Sequence, residues 1–496
     1  MRIFNLKLAA QMAGLLVIAT LLFPSASLGD SRPSLTVADG AYSYIRFEKL
    51  LGSMPRDPER LAPLQKKADL AVGALFGRDI ERALRLLDQA VLTEMIQAEP
   101  AITHLAAAGL QVRPEGTPIT NLRLTSRYPL KEAKETPYKY MLRVRSPEGQ
   151  LQWQHPLTLP ASSDGSWDLD FPVQLGNYDL IDEPGPIDIS LLCQDGVEIP
   201  IGQAHVYHQR PSQLRQSQQT ELTNVSPLPS QLQRSASRFA ARNRQLRDNH
   251  HPKRLADHLL NRSQLAKQLA QEIASLKAGI DPYLNATGDR WFLLESERGD
   301  LPYRVYAPEK TTGPTQEPLP VVIALHGMGG NEHLFMEGYG GGALKRLADE
   351  HQFLLVSPRT YELAQSAVFF DALIGDIEDM YSIDPDRIYL IGHSLGAMTT
   401  MTLADQRPDS FAAICAIAGD GRTPQSQLIP PTLAFLAEDD WMVPANAAKQ
   451  RIQQAQESGA NIRSKIVPAA GHLLVVYMVL PDAITWLMSQ NNNANK

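Results

Sequence analysis

The stretch Asp386-Arg-Ile-Tyr-Leu-Ile-Gly-His-Ser-Leu-Gly-Ala-Met-Thr-Thr400 constrains this chain more than any other. Ile388 to Ile391 is a short apolar run that reads as a buried strand. Gly392-His393-Ser394-Leu395-Gly396 follows at once, and Ala397 to Asp405 carries good helix formers. A Gly-x-Ser-x-Gly between a strand and a helix is a nucleophile elbow. The turn is tight enough to strain the serine backbone, so both flanking positions must be small. The strain lifts the serine oxygen clear of the sheet edge. The following helix points its N-terminus at the same place, where negative charge is favoured.

The surrounding residues repeat strand, loop, helix from Arg290 onward. Tyr303 to Tyr306 is a strand, and Val321 to Leu325 is a continuous apolar run of the kind a parallel strand covered on both faces requires. Leu344 to Glu350 is helical. Phe353 to Val356, Phe411 to Ala418 and Thr432 to Ala437 are further strands, and Asp482 to Met488 is a terminal helix. The fold class is therefore α/β, with a doubly wound, mostly parallel sheet over residues 286–496.

Ahead of it the character changes twice. Residues 30–115 carry apolar residues at helical spacing, punctuated by Pro55, Pro58 and Gly77. Residues 116–211 alternate with period two, as in Tyr138, Tyr140, Leu142, Val144 and again in Ile187, Ile189, Leu191, Cys193. Such short runs predict a small antiparallel β-sandwich, immunoglobulin-like in type. Residues 212–285 form a polar helical linker with an apolar stripe of Leu255, Leu259, Leu269, Ile273 and Leu276.

Residues 1–29 read as a signal peptide. Arg2 and Lys7 form its basic region, Leu8 to Phe23 its apolar core and Ser25-Ala-Ser27 a small-residue cleavage site. That run is shorter than the ~20 residues a membrane span needs, so the mature chain is expected to be secreted or periplasmic, with no membrane span. The formal net charge of −7 gives no general attraction to nucleic acid. The two cysteines, Cys193 and Cys415, fall in different segments and read as buried free thiols.

Several features lead away from other chemistries. Arg234, Arg238, Arg242, Arg244 and Arg247 form a local basic cluster, which reads as a solvated helix face. His104 is alone and reads as structural. Asn249-His-His251 lacks further ligands at metal spacing. Gly338-Tyr-Gly-Gly-Gly-Ala343 does not follow the strand a dinucleotide loop requires, and reads as a flexible lead-in to a helix. No cofactor or metal is implied.

The serine needs a base, and His472 is the only histidine after Ser394. It sits in Val467-Pro-Ala-Ala-Gly-His-Leu473, a loop beyond a strand. The acid should lie between them at a strand end. Asp440, after Thr432-Leu-Ala-Phe-Leu-Ala437, is the first choice, Asp439 the second and Asp420 the third. A tetrahedral oxyanion needs two donors: the Leu395 N–H and, from Leu325-His-Gly-Met-Gly-Gly330, the Met328 N–H. Glycines at 327, 329 and 330 let that backbone approach closely. The side chain of His326 is expected to brace the loop.

Residues 290–490 resemble the α/β-hydrolase superfamily, and within it secreted esterases related to polyhydroxybutyrate depolymerases, feruloyl esterases and prolyl-oligopeptidase-like hydrolases. The resemblance rests on Leu301-Pro-Tyr-Arg-Val-Tyr306, Leu325-His-Gly-Met-Gly-Gly330, Ile383 through Gly396, Pro408-Asp-Ser-Phe-Ala-Ala413 and Gly471-His472. One departure is Ala397, where such esterases commonly carry a further glycine. The resemblance implies a serine hydrolase that cleaves small-molecule or polymeric carboxylic esters. A peptidase of the prolyl-oligopeptidase type and a non-catalytic envelope binding protein are the rivals. Neither the acyl and alcohol groups nor the oligomeric state is legible in the sequence.

Overall fold

The computed structural model describes residues 37–491, apart from 78, 116–120, 131–136, 147–148, 173–184, 207–209, 226, 248–261, 297–298, 310–316, 367 and 420–428. The expected signal peptide, Asp420 and Asn249-His-His251 lie outside the described residues.

Eight strands form one sheet: β8 (Gly288–Leu294), β9 (Leu301–Ala307), β10 (Leu319–Leu325), β11 (Leu354–Pro358), β12 (Ile383–His393), β13 (Ala413–Ile417), β14 (Thr432–Ala437) and β15 (Ile462–Val467). Their spatial order is β8-β9-β11-β10-β12-β13-β14-β15. β9 runs antiparallel to both its neighbours, and the pairs from β11 to β15 are parallel. This is a doubly wound, mostly parallel α/β sheet. Every residue of β10, β11, β13 and β14 is buried, because both faces are covered and no polar alternation is needed. Alternate side chains of β10 enter opposite cores: Val321, Ile323 and Leu325 on one face, Val322 and Ala324 on the other. The order turns at β10, with β11 on one side and β12 on the other. Such a switch leaves a crevice at the carboxyl ends of the strands.

Among the described residues, four helices precede the first small sheet: α1 (Val37–Ser53), α2 (Pro58–Phe76), α3 (Ile80–Ile96) and α4 (Ile102–Ala108). Seven antiparallel strands follow. β1 (Leu110–Glu115), β2 (Asn121–Ser126) and β5 (Asp168–Pro172) make one sheet. β3 (Tyr138–Arg145), β4 (Leu151–Leu159), β6 (Gly185–Leu192) and β7 (Glu198–Val206) make another. Leu122 and Leu124 of the first and Leu142, Ile189 and Ile201 of the second share one apolar cluster. Among the described residues, three helices then lead to the large sheet: α5 (Pro211–Val225), α6 (Gln233–Asn243) and α7 (Arg262–Lys277).

Three expectations need correction. Two arginines of α6, Arg238 and Arg242, are not on a solvated face, whereas Arg234 and Arg244 are exposed as expected. Arg238 places Nη2 2.6 Å from Asp376 Oδ1, and the fully buried Arg242 donates from Nε to Glu272 Oε2 at 3.0 Å. They lie one turn apart on the face that also buries Phe239, and carboxylates opposite make that burial tolerable. The glycine lead-in to helix α8 (Tyr339–His351) is packed rather than loose. Gly340, Gly341 and Gly342 all have left-handed φ near +60 to +80°. A Cβ on Gly52 of α1 would meet Gly340 O at 2.2 Å, so α1 presses directly on that turn.

The third concerns the last helix, which starts at Leu474 rather than Asp482 and runs to Met488 through Pro481. Counting α9 (Val368–Glu378), α10 (Leu395–Gln406) and α11 (Ala445–Glu457), this helix is α12. Proline removes the N–H that would bond the carbonyl four residues earlier, which is Tyr477. Arg56 Nε donates to that carbonyl at 3.0 Å instead. Leu474 and Tyr477 of α12 belong to the same apolar cluster as Phe47, Leu64, Ala68 and Leu87, so α1–α3 pack on α12.

Candidate active site

Four loops at the carboxyl end of the large sheet meet at Ser394. The serine follows β12 directly and has φ +53° and ψ −113°. A non-glycine residue held there stores strain of order 1–3 kcal/mol. The neighbouring glycines have no room to be anything else: a Cβ on Gly392 would stand 2.2 Å from Gly396 O, and one on Gly396 1.8 Å from Leu325 O. The Ser394 N–H is held by Ile417 O at 2.9 Å, which ties the turn to β13.

His472 arrives from the loop after β15. Its Nε2 lies 3.0 Å from Ser394 Oγ and its Nδ1 2.7 Å from Asp440 Oδ2. A carboxylate only accepts, so Nδ1 carries the proton and Nε2 is left to accept from the serine hydroxyl. Asp440 Oδ1 takes the N–H groups of Met442 (2.8 Å) and Val443 (2.9 Å). His472 and Asp440 are buried, whereas Ser394 is half-exposed. Asp439, the second choice for the acid, is exposed and bonds Ala470 O only through its backbone N–H.

The loop after β10 lies against the serine. A Cβ on Gly327 would be 3.3 Å from Ser394 Cβ and 3.0 Å from His393 Nδ1. This approach brings the backbone of the loop at Gly327 beside the nucleophile. Leu395 opens α10, where the N–H has no intrahelical acceptor. His326 braces the loop: Nδ1 donates to Gly327 O at 2.8 Å and Nε2 accepts the Thr360 N–H at 3.0 Å. Burial pushes this imidazole down to about 4, so it stays neutral. Tyr361 adds a second brace by accepting the Gly329 N–H at 2.7 Å.

No protein-family profile matches the chain. It is 28% identical over 145 residues to feruloyl esterase B of Thermothelomyces thermophilus, covering 25% of this chain and 47% of that protein. Poly(3-hydroxyalkanoate) depolymerase C of Paucimonas lemoignei is 28% identical over 118 residues, 20% of this chain and 28% of its own. The chain spans less than half the length of the curated relatives it matches. A solved thermostable esterase overlaps 77% of this chain and 98% of its own, at TM-score 0.38 and 16% identity. The chain resembles serine esterases of the α/β-hydrolase fold.

One residue at this esterase-like site, and one far along the chain, have partners that the sequence did not signal. His393, between Gly392 and the serine, is fully enclosed, and burial together with the nearby His472 holds it well below the usual histidine range. Its Nδ1 accepts from the Tyr339 hydroxyl at 2.6 Å. His104 is not alone: its Nε2 lies 2.7 Å from Asp195 Oδ2, with Cys193 alongside. Its Nδ1 already accepts the Ala101 N–H at 3.2 Å, so both ring nitrogens are engaged in holding α4 to the second small sheet. Cys193 and Cys415 are buried free thiols.

Proposed function

We propose that the protein is a serine hydrolase that cleaves carboxylic esters through an acyl-enzyme. The carrying observation is the continuous chain from Ser394 Oγ through both nitrogens of His472 to Asp440, at 3.0 and 2.7 Å. In this reading Ser394 Oγ attacks the ester carbonyl while His472 Nε2 takes its proton. Asp440 orients the ring and stabilises the imidazolium without taking the proton. The Met328 and Leu395 N–H groups hold the oxyanion, each worth about 3–4 kcal/mol at the transition state. His472 returns the proton to the departing alcohol, and water then releases the acid by the same steps.

The similarity to a feruloyl esterase and to a polyester depolymerase supports trying both small aromatic and polymeric esters. Export rests on the basic and apolar pattern of residues 1–29, and cell fractionation tests it. The N-terminal helices, the two-sheet module (expected over 116–211 and read as immunoglobulin-like, but opening at β1, Leu110–Glu115) and the linker 212–285 are taken as accessory units of a catalytic domain at 286–496.

The test is turnover of p-nitrophenyl esters by the wild type beside Ser394→Ala. Turnover that falls by several orders of magnitude in the alanine variant supports the reading. A wild type inert toward every ester, yet active on chromogenic peptides, overturns it.

A further inference from the structure

A groove of about 840 Å³ runs beside the His472 loop, and one of its walls comes from the N-terminal helices rather than from the large sheet. Gln65, Asp69 and Gly73 of α2 form one side. Asp439, the half-exposed Trp441 and Ala469 form the other. The contact is closest at Asp69. A Cβ built on Gly471 would stand 2.5 Å from both Asp69 carboxylate oxygens, so the carboxylate lies flat on the backbone next to His472. We propose that Asp69 is a positioning residue of the active site, a second carboxylate that stabilises the His472 imidazolium from the N-terminal helices.

The arrangement supports this in three ways. First, α2 is fixed in place: Leu64 and Ala68 on its buried face share a core with Leu474 and Tyr477 of α12, the helix that begins just after His472. Second, the carboxylate has no hydrogen bond or ion pair of its own among the described residues, so its charge is not already neutralised. Third, Asp440 binds the ring edge through Nδ1, while Asp69 lies against the backbone of the residue just before the ring. The groups that face Asp69 are His472, which attracts it, and Asp440 and Asp439, which repel it. Lys66 on its own helix and Asp79 and Arg82 line the same groove. Burial and the two aspartates push Asp69 up to about 6 while His472 pulls it back, so it carries its charge above about pH 6.

The role in turnover rests on the ester-hydrolase reading, but the test does not. The ring-proton NMR titration of His472, assigned by its loss in His472→Gln, follows the imidazole with no substrate present. In Asp69→Asn its midpoint is expected to fall by about half a pH unit, the effect of losing a charge several ångströms away in partly wet surroundings. Asp69→Glu is expected to stay with the wild type. A midpoint unchanged in Asp69→Asn overturns the proposal, since a merely structural residue would not move it. Melting provides a second measurement. Gly471→Ala is expected to lower the melting temperature, and adding Asp69→Ala to restore part of the loss; strictly additive shifts overturn the placement. Ester turnover is read separately. An inert wild type would sink the esterase reading and leave the imidazole titration to decide on Asp69.

Discussion

His393 Nε2 donates to the backbone carbonyl of His472 at 2.9 Å. The residue before the nucleophile thus holds the main chain of the residue proposed as its base. The other nitrogen of His393 accepts from Tyr339, so the strut continues into α8. A carbonyl can only accept, which fixes the neutral tautomer of His393 with its proton on Nε2. The distance between Ser394 and His472 is therefore set through the backbone as well as through their own hydrogen bond.

Removing the Tyr339 hydroxyl tests this strut. Tyr339→Phe keeps the ring but leaves a buried imidazole nitrogen without its donor. The expected loss of stability is about 1–3 kcal/mol, with kcat for a p-nitrophenyl ester falling about tenfold for a slight misplacement of the base. Denaturant melts and steady-state kinetics on the same sample check both. Unchanged kcat would mean that the strut does not position His472.

Asp440→Asn keeps the size and the bonds from Met442 and Val443 but presents an amide to His472 Nδ1. If its N–H group faces the ring, Nδ1 must accept and the proton moves to Nε2, where it blocks the serine. Turnover is expected to fall about 10⁴-fold with a nearly normal KM. Asp439→Asn, by contrast, alters an exposed side chain and is expected to stay within about threefold, as a small local charge change would give. Equal losses in the two variants would overturn the assignment of the acid.

The reach of the sequence follows from what each feature depends on. β10 was legible because a strand covered on both faces is apolar throughout, and Leu319–Leu325 is entirely buried. Ser394 was legible because its strain demands glycines on either side, and His472 because no other histidine follows it. The contacts of Asp69 with Gly471 and of Tyr339 with His393 join residues remote in sequence, and neither side chain carries a local pattern. The start of α12 was misplaced because Pro481 stops a helix by local rules. What overrides those rules is Arg56, in the loop between α1 and α2, bonding the Tyr477 carbonyl from the far end of the chain. The inward turn of Arg238 and Arg242 was hidden for the same reason, since their partners Asp376 and Glu272 lie in other segments.

Two glycines allow a paired test of the elbow. Gly396→Ala drives a methyl group to within 1.8 Å of Leu325 O, a backbone atom that cannot step aside without moving β10. The expected loss is about 3 kcal/mol or more, at the upper end for overpacked sites. Gly375 lies inside α9 and has nothing within 4 Å of its would-be Cβ. Gly375→Ala is expected to stabilise by about 0.5–1 kcal/mol. Urea midpoints of the two variants should move in opposite directions; movement together would contradict the packing of the Leu325–Gly396 crossing.

Glu48 makes stability depend on pH. It is buried in α1, where Oε2 accepts the Gly340 N–H at 2.8 Å, and burial pushes its carboxyl up to about 7 from an ordinary 4.5. Between those values the folded protein holds a proton that the unfolded chain has released. Stability from this group is therefore fully present below about pH 4.5 and declines as pH rises through 7. The full span corresponds to about 3 kcal/mol. Glu48→Gln cannot ionise and still offers an amide oxygen to Gly340. Scanning calorimetry at pH 5 and pH 8 should show the wild type losing more of its melting temperature than Glu48→Gln over that interval. Asp69, pushed up to about 6, adds a decline of the same sign, but it is common to both proteins and cancels in their difference. Parallel declines in the two proteins would mean that Glu48 is ionised and accommodated beneath the glycine turn throughout that pH range.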